Sequence, residues 1–377
     1  MPESTRQPWR YRLDQSIRDL IMRIIGWLAP EFNDADFNPR NPSIKNILLV
    51  RANFRMGNAV LALPAIAAFR KTFPDARIDF VGSPISELLF KQQSLNQHYL
   101  APRRFPQVLW QYPRLMRRLR AQGYDLAVDV SCSQSGGAAF IIGLSGARIR
   151  AGIAGKWDRL FNLKIAKPRH PNKYRKLTEL FAALSLDSVN SVGSVEFSNA
   201  EKQAALTNLQ SLVGENSGKT VGVFVGGRKL RGKRWPMENF AGVIHELHQR
   251  GIRVITFFGP EENDLADSLR TSVDPSVPVI FEPSARKFAA MISHLDLLIC
   301  CDSGPMHLAC AAGVRVVAIF REKDVRRWSP PVSAARTVTA PNDGVTVLMV
   351  VQAALDELAL GKPTGAGPMK PQAAVQG

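Results

Sequence analysis

Two tandem series of short apolar runs alternating with helix-period segments, separated by one polar stretch, limit what this chain can fold into. In the first series, residues 47–50 read as a buried strand and "NAVLALPAIAAFRKTF" as a helix that Pro64 kinks or splits; "ARIDFVGS", "ISELLFKQQS", "YDLAVDVS" and "SGGAAFIIGLSGA" then continue as strand, helix, strand, helix. The polar region "SLDSVNSVGSVEFSNAEKQ" and a helix near 199–213 interrupt the pattern. It restarts at "GKTVGVFVGG" and runs through "MENFAGVIHELHQRG", "IRVITFFG", "ENDLADSLRTS", "VPVIFE", "SARKFAAMISHL", "DLLICC" and "GPMHLACAAG" to "VRVVAIF". Parallel neighbours need a crossover connection, so this alternation predicts parallel sheets with helices on both faces. At 377 residues the chain can bury two cores. The expected architecture is α/β, with two Rossmann-like domains whose sheets face across a cleft.

In such sheets ligands sit beyond the carboxyl ends of the strands. The loops to inspect therefore follow Val50, Val130, Val225, Phe258, Cys301 and Phe320. In "GGRKLRGKRWP", Gly226 and Gly227 let backbone approach an anion closely, while Arg228, Lys229, Arg231, Lys233 and Arg234 repel one another unless something negative lies among them. A diphosphate fits; a solvated basic loop is the other reading. In "CDSGPMHLACAAG", Asp302 or Ser303 can cap a helix whose free N–H groups near Gly304 form an anion site, and His307 follows Ser303 by one turn on roughly the same side.

The net charge of +17 independently points to a polyanionic partner, whether nucleic acid, an anionic membrane or a phosphorylated substrate. RNA-binding and zinc-finger signatures are absent, so nucleic acid is disfavoured. No G-x-G-x-x-G follows the first strand, which disfavours a dehydrogenase. Cys132, Cys300, Cys301 and Cys310 lack metal-site or disulfide spacing and read as small buried residues in a reducing compartment. No run reaches the ~18 apolar residues of a membrane span. The N-terminal "YRLDQSIRDLIMRIIGWLAP" has an amphipathic period, suited either to a membrane interface or to packing on the protein body. The Gly- and Pro-rich tail "GKPTGAGPMKPQAAVQG" is expected to be disordered.

Taken together and in order, "LPAIAAFRKTFPDARIDFV", "YDLAVDV", "RKLTELFAALSL", "GKRWPMENFAGVI", "CDSGPMHLACAAGVRVVAIF" and "RRWSP" resemble the family 9 glycosyltransferases, the heptosyltransferases of the lipopolysaccharide core. The resemblance implies a GT-B architecture and an inverting, metal-independent sugar transfer that requires no cofactor. It implies an acceptor domain at 46–215 and a donor domain at 216–358, between an N-terminal segment 1–45 and a tail 359–377. The donor would be a nucleotide sugar such as ADP-heptose. By position Lys233 matches the family's phosphate-contacting lysine, and Asp302, Ser303, Gly304 and His307 match its donor loop. Gly226, Arg228 and Arg234 belong to the loop carrying Lys233, and Glu261 or Glu262 is placed to hold the ribose or base. The acceptor would be a phosphorylated lipid-linked saccharide. The protein is then expected in the cytoplasm, peripheral on the inner face of an anionic membrane.

The family usually places its base, an aspartate, directly after the glycine of the first loop; here that position is Asn58. An amide orients a hydroxyl but cannot take its proton. Asp129, expected on the cleft side at the end of "LAVDV", is the first substitute; an acceptor phosphate is another. Arg51, Asn53 and Arg55 add polar groups on the acceptor side. Asn58 can also serve simply as a helix N-cap. A non-catalytic binder of sugar nucleotide or lipid A, and a GT-B nucleotide-sugar epimerase, remain open as alternatives.

Overall fold

The computed structural model describes residues 37–361 except 40, 104–106, 215–217 and 228–231. The N-terminal amphipathic segment, Arg228, Lys229, Arg231 and the tail beyond 361 lie outside the described residues.

The first half runs β1 (Asn46–Val50), α1 (Met56–Val60), α2 (Leu63–Thr72), β2 (Arg77–Gly82), α3 (Pro84–Leu89), β3 (Gln97–Leu100), α4 (Val108–Arg120), β4 (Leu126–Asp129), α5 (Gly136–Leu144), β5 (Ile149–Ile153), β6 (Leu163–Ile165), α6 (Lys173–Ala183) and α7 (Asn199–Val213). The second runs β7 (Thr220–Phe224), α8 (Met237–Gln249), β8 (Arg253–Phe258), α9 (Ala266–Ser272), β9 (Val279–Phe281), α10 (Ala285–Ile292), β10 (Leu297–Cys301), α11 (Gly304–Ala311), β11 (Arg315–Ile319), α12 (Glu322–Trp328), β12 (Ala335–Val338) and α13 (Val347–Ala359). The sheet orders are β3-β2-β1-β4-β5-β6 and β12-β11-β10-β7-β8-β9. The pairings are parallel, as with β1 against β2 and β4, and β10 against β7 and β11. Each order reverses beside its own first strand, between β1 and β4 and between β7 and β10. A crevice opens at such a switch point. The GT-B arrangement expected from the sequence is the one observed.

Strand periodicity explains how the layers are glued. Leu48 and Val50 enter an outer core with Leu119 and Ile141, while Ile47 and Leu49 enter the opposite one. In β10, Leu297 and Ile299 pack outward with Phe240 and Val350, and Leu298 and Cys300 pack inward. The two inward faces share one continuous apolar cluster, in which Phe69 and Leu180 of the first half join Phe288 and Met306 of the second. Each fully buried side chain of this size contributes about 1.5–3 kcal/mol, so the halves adhere strongly. Arg286 on α10 adds a polar clasp: its Nε donates to Glu201 Oε1 at 2.6 Å, its Nη2 to Glu201 Oε2 at 2.8 Å and its Nη1 to the Leu89 carbonyl at 3.1 Å.

Local chemistry accounts for the break expected at Pro64. Pro64 occupies the first turn of α2, where a missing N–H costs nothing, so the segment divides into α1 and α2. The N-cap of α1 is Arg55, with Asn58 inside the helix, which corrects the capping role considered for Asn58. Asn53 supplies the turn instead, its Oδ1 accepting from the Arg55 N–H at 3.1 Å. All four cysteines are buried free thiols. Among the described residues no helix is long and apolar enough to cross a membrane.

Candidate active site

A cleft of about 580 Å³ lies between the carboxyl ends of the two sheets, with Arg55, Gly57 and Asn58 on one side and Lys233, Asp302 and His307 on the other. Two glycines make this approach possible. At Gly57 an added Cβ would stand 2.8 Å from His307 Cδ2. Gly227 has φ +157°, and a Cβ there would meet the Lys233 carbonyl at 2.6 Å, so only glycine lets the loop fold back on itself.

That fold-back delivers Lys233. Its ammonium pairs with Asp302, lies 3.4 Å from Asp324 Oδ2 and stands 5.9 Å from the centre of the Trp328 ring. Asp324 is also held by Arg321, whose Nε donates to Oδ2 at 2.9 Å. Burial pushes the Asp302 carboxyl above its usual range, against the pull of Lys233. Burial raises Asp324 too, but hydrogen bonds from Arg321 and Lys233 outweigh it and leave that carboxyl low.

The expected side-chain cap of α11 is not formed. Ser303 holds the N-cap position, yet its hydroxyl donates to the Cys301 carbonyl at 3.0 Å, and Asp302 is committed to Lys233. The first-turn amides of α11, among them that of Gly304, therefore stay open to an anion in the cleft. One turn on, Nδ1 of the buried His307 lies 2.5 Å from the hydroxyl of the equally buried Tyr174 of the first half. That hydroxyl has no other partner among the described residues, so it donates to Nδ1 and the ring proton sits on Nε2, the nitrogen left for a ligand. Burial, then Lys233 and Arg51, pushes His307 down to about 3, which keeps the ring neutral.

On the acceptor side the Asn58 amide is oriented by one bond on each of its polar atoms, which leaves its second N–H free for the cleft. Its Nδ2 donates to Asn53 Oδ1 at 3.0 Å and its Oδ1 accepts from Arg51 Nη2 at 3.4 Å. A carboxylate here would lose the first bond. Arg51 lies beneath the cleft wall rather than in it, 6% exposed, with Nη1 donating to the Val130 carbonyl at 2.8 Å. Asn53 likewise braces the loop and is not part of the lining.

Asp129 requires a larger correction. It ends β4 as expected, but it is 1% exposed, accepts the Ser131 N–H at 2.8 Å and is not part of the cleft lining. Burial raises its carboxyl to about 6, while the bonds from Ser131 and the charge of Arg51 pull the other way. Of the other expected residues, Glu261 lines the cleft; Glu262 borders it but is 5% exposed and accepts the Gly259 N–H at 3.2 Å. Gly226 packs on Glu262 instead of facing the cleft. Arg234 is tied to Asp264 Oδ2 at 2.9 Å and to the Glu261 carbonyl at 3.2 Å, also outside the lining.

Sequence reasoning missed Tyr174, Trp328, Asp324 and Lys173. Trp328 stands in "RRWSP", and Tyr174 follows the N-cap of α6, Asn172, but neither position announces its partner. Burial, and then the neighbouring Lys176, Arg327 and Arg51, lower Lys173 to about 8. A second cavity of about 780 Å³ shares Phe54, Pro84 and Ile85 with the cleft and is lined by Arg103, Arg114 and Arg118. Arg103 and Arg118 lie on aromatic faces, each 5.1 Å from the ring centres of Phe54 and Tyr99.

Known proteins match this arrangement. The sequence profile of glycosyltransferase family 9 (heptosyltransferase) matches residues 112–346. Lipopolysaccharide heptosyltransferase 3 of Escherichia coli is 24% identical over 289 residues, 73% of this chain and 83% of that protein. The crystal structure of a family 9 glycosyl transferase from Veillonella parvula superposes with TM-score 0.75 at 19% identity, covering 84% of this chain and 97% of that one. The E. coli ADP-heptose lps heptosyltransferase II gives TM-score 0.69 at 18% identity, covering 84% and 99%. These two share the fold. With more than half of its length matched by the family profile, the chain belongs to glycosyltransferase family 9, the heptosyltransferases, and is a glycosyltransferase.

Proposed function

We propose that the protein transfers a heptose-like sugar, with inversion and without a metal, from an ADP-sugar to a phosphorylated lipid-linked saccharide of the lipopolysaccharide core, at the cytoplasmic face of the membrane. Residues 216–358 hold the donor and 46–215 the acceptor. The observation that carries this reading is the convergence of Lys233, the open α11 amides and the His307 ring on one cleft, opposite the Asn58 loop. These groups stabilise the charge that develops on the leaving diphosphate as its bond to the anomeric carbon breaks. Asp302, Ser303 and Gly304 shape that pocket, Glu261 meets the ribose, and Gly226, Arg228 and Arg234 belong to the loop presenting Lys233. Arg55 and Asn58 meet the acceptor, Arg51 and Asn53 hold Asn58 in place, and the cavity with Arg103, Arg114 and Arg118 takes the acceptor's anionic groups. The cleft's carboxylates among the described residues, Glu261, Glu262, Glu282 and Asp302, all come from the donor half. The acceptor's proton therefore passes to the acceptor's own phosphate.

A thermal-shift screen tests the donor, since a ligand binding only the native state raises its melting point. ADP-heptose is expected to raise it and UDP- and GDP-sugars to leave it unchanged. The lack of a carboxylate at Asn58 favours one rival reading, a binder without turnover. Donor binding with neither transfer to core oligosaccharide nor donor hydrolysis would establish that rival.

Two variants address the proton. Asp129→Asn should leave kcat within about tenfold, because the carboxyl does not reach the cleft; a fall of about 10²–10⁴ would restore it as the base. Asn58→Asp should raise kcat and introduce an acidic limb, the gain being present above the new carboxyl's pKa and falling back to the wild-type level below it, with Arg51 holding that pKa low. Tyr174→Phe frees Nδ1 to take the ring proton and turns Nε2 into an acceptor facing the diphosphate. We expect the donor KM to rise about tenfold, the cost of one charge-assisted hydrogen bond, with the far-ultraviolet spectrum unchanged. Because folding lowers the pKa of His307, its burial costs stability progressively as pH falls from about 6.5 towards 3, and costs nothing above that window.

A further inference from the structure

We infer that the outer face of α4 is the membrane-docking surface of this protein and that it seats on an anionic bilayer beside the acceptor cavity. The inference rests on the reading above that the acceptor is lipid-linked, and it specifies which surface meets the lipid.

Leu115, Met116 and Leu119 bury one face of α4. At 100° per residue, Trp110, Arg114 and Arg117 project from the opposite face, with Leu109 and Pro113 beside them. Leu109 is 63% exposed and Trp110 49%, an unusual pair to leave in water. Arg114 and Arg117 have no carboxylate partner among the described residues, and the sequence carries no aspartate or glutamate between Glu87 and Asp125. A stretch that combines exposed Trp and Leu with unopposed arginines suits a headgroup layer: the apolar tip enters the acyl boundary, the indole sits at the interface and the guanidiniums meet lipid phosphates. The apolar part is only about two side chains wide, far below the ~800 Å² per partner of a stable protein interface. Charge complementarity therefore selects the bilayer as occupant.

The placement also serves the reaction. Gln107, Gln111, Arg114 and Arg118, on the adjoining face of the same helix, line the second cavity, and Leu100 on its rim is 44% exposed. A bilayer touching Leu109 and Trp110 would present its headgroups at the mouth of that cavity, which shares Phe54, Pro84 and Ile85 with the cleft. A lipid-linked saccharide then needs to extend only its sugar portion into the protein.

The test uses the full chain with vesicles of phosphatidylcholine alone or mixed with phosphatidylglycerol, read by co-sedimentation, alongside transfer to a delipidated, water-soluble core acceptor. None of the substituted residues lines the cleft or the cavity. Wild type should bind the anionic vesicles, less so at high salt, and not the neutral ones. Leu109→Ser/Trp110→Ser and, separately, Arg117→Glu should each cut that binding by about tenfold or more, with transfer to the soluble acceptor unchanged. Trp110→Phe should restore most of it. Vesicle binding equal to wild type in the double variant would assign membrane attachment elsewhere in the chain and overturn the inference. So would failure of wild type to bind, or a Trp110-dependent dimer in solution. Loss of transfer with vesicle binding intact would instead count against the proposed function.

Discussion

Replacing Lys233 by alanine is expected to lower kcat/KM by about 100- to 1,000-fold, the usual effect of removing a preorganised electrostatic contact to a developing negative charge. Its side chain is 8% exposed and flanked by Asp302 and Asp324, which hold the ammonium at the cleft. A lysine has three N–H donors, so two carboxylates leave one for a phosphate oxygen. The same substitution strands the buried Asp302, and part of the loss could then reflect a damaged loop. Lys233→Met/Asp302→Asn separates the two effects by removing both charges at once. It should melt near wild type while remaining at least about 100-fold impaired. Recovery of activity in the double variant would show that Lys233 serves only to neutralise Asp302. Lys233→Arg should rescue partially at best, since a rigid planar fork does not fit where a compact ammonium sits between two carboxylates.

The second large effect concerns stability. Arg286→Ala is expected to destabilise the protein by about 2–3 kcal/mol, below the range for ion pairs buried on both sides, because the Glu201 side chain is 27% exposed and water takes up part of its charge. Arg286 is 4% exposed, and the substitution strands Glu201 together with the Leu89 and Glu196 carbonyls. The two elements joined, α7 and α10, flank the junction of the halves, so urea unfolding should report the loss through a lower midpoint. Glu201→Gln retains the shape and should cost less; a double-mutant cycle isolates the pair. The sign with pH follows from Glu201, whose carboxyl is lowered to about 2, chiefly by its hydrogen bonds from Arg286. Its contribution is complete above the ordinary carboxylate range near 4.5 and disappears as pH falls towards 2. Arg286→Ala should therefore differ most from wild type near neutrality and converge with it in acid. A constant difference across that window would mean that packing, rather than the ion pair, dominates.

Several parts of this protein were written locally. The runs of β1, β4, β7 and β10 announced themselves because a strand buried on both faces is apolar throughout. Pro64 divided its helix because a proline is tolerated only in the first turn. The loops carrying Lys233 and His307 could be recognised as ligand loops because they combine glycines, cations and a helix start within about a dozen residues. Strands β3, β5 and β6 were invisible for the opposite reason: Gln97 and His98, Arg150 and Gly152, and Lys164 interrupt what would otherwise be apolar runs.

What tertiary structure alone decided is which of the recognised groups face the cleft. Arg51 and Asp129 stand at the ends of adjacent strands, as their sequence positions required, yet crossover packing covers both. Asn58 owes its fixed orientation to Asn53 and Arg51, and the proton on His307 is placed by Tyr174, 133 residues away along the chain. The clasp between Arg286 and Glu201 spans 85 residues. Sequence neighbours set strand period, helix start and turn, because those depend on bonds a few residues apart. Burial and the pairing of polar side chains depend on which surfaces meet once the two sheets close on a shared core, and no local pattern encodes that encounter.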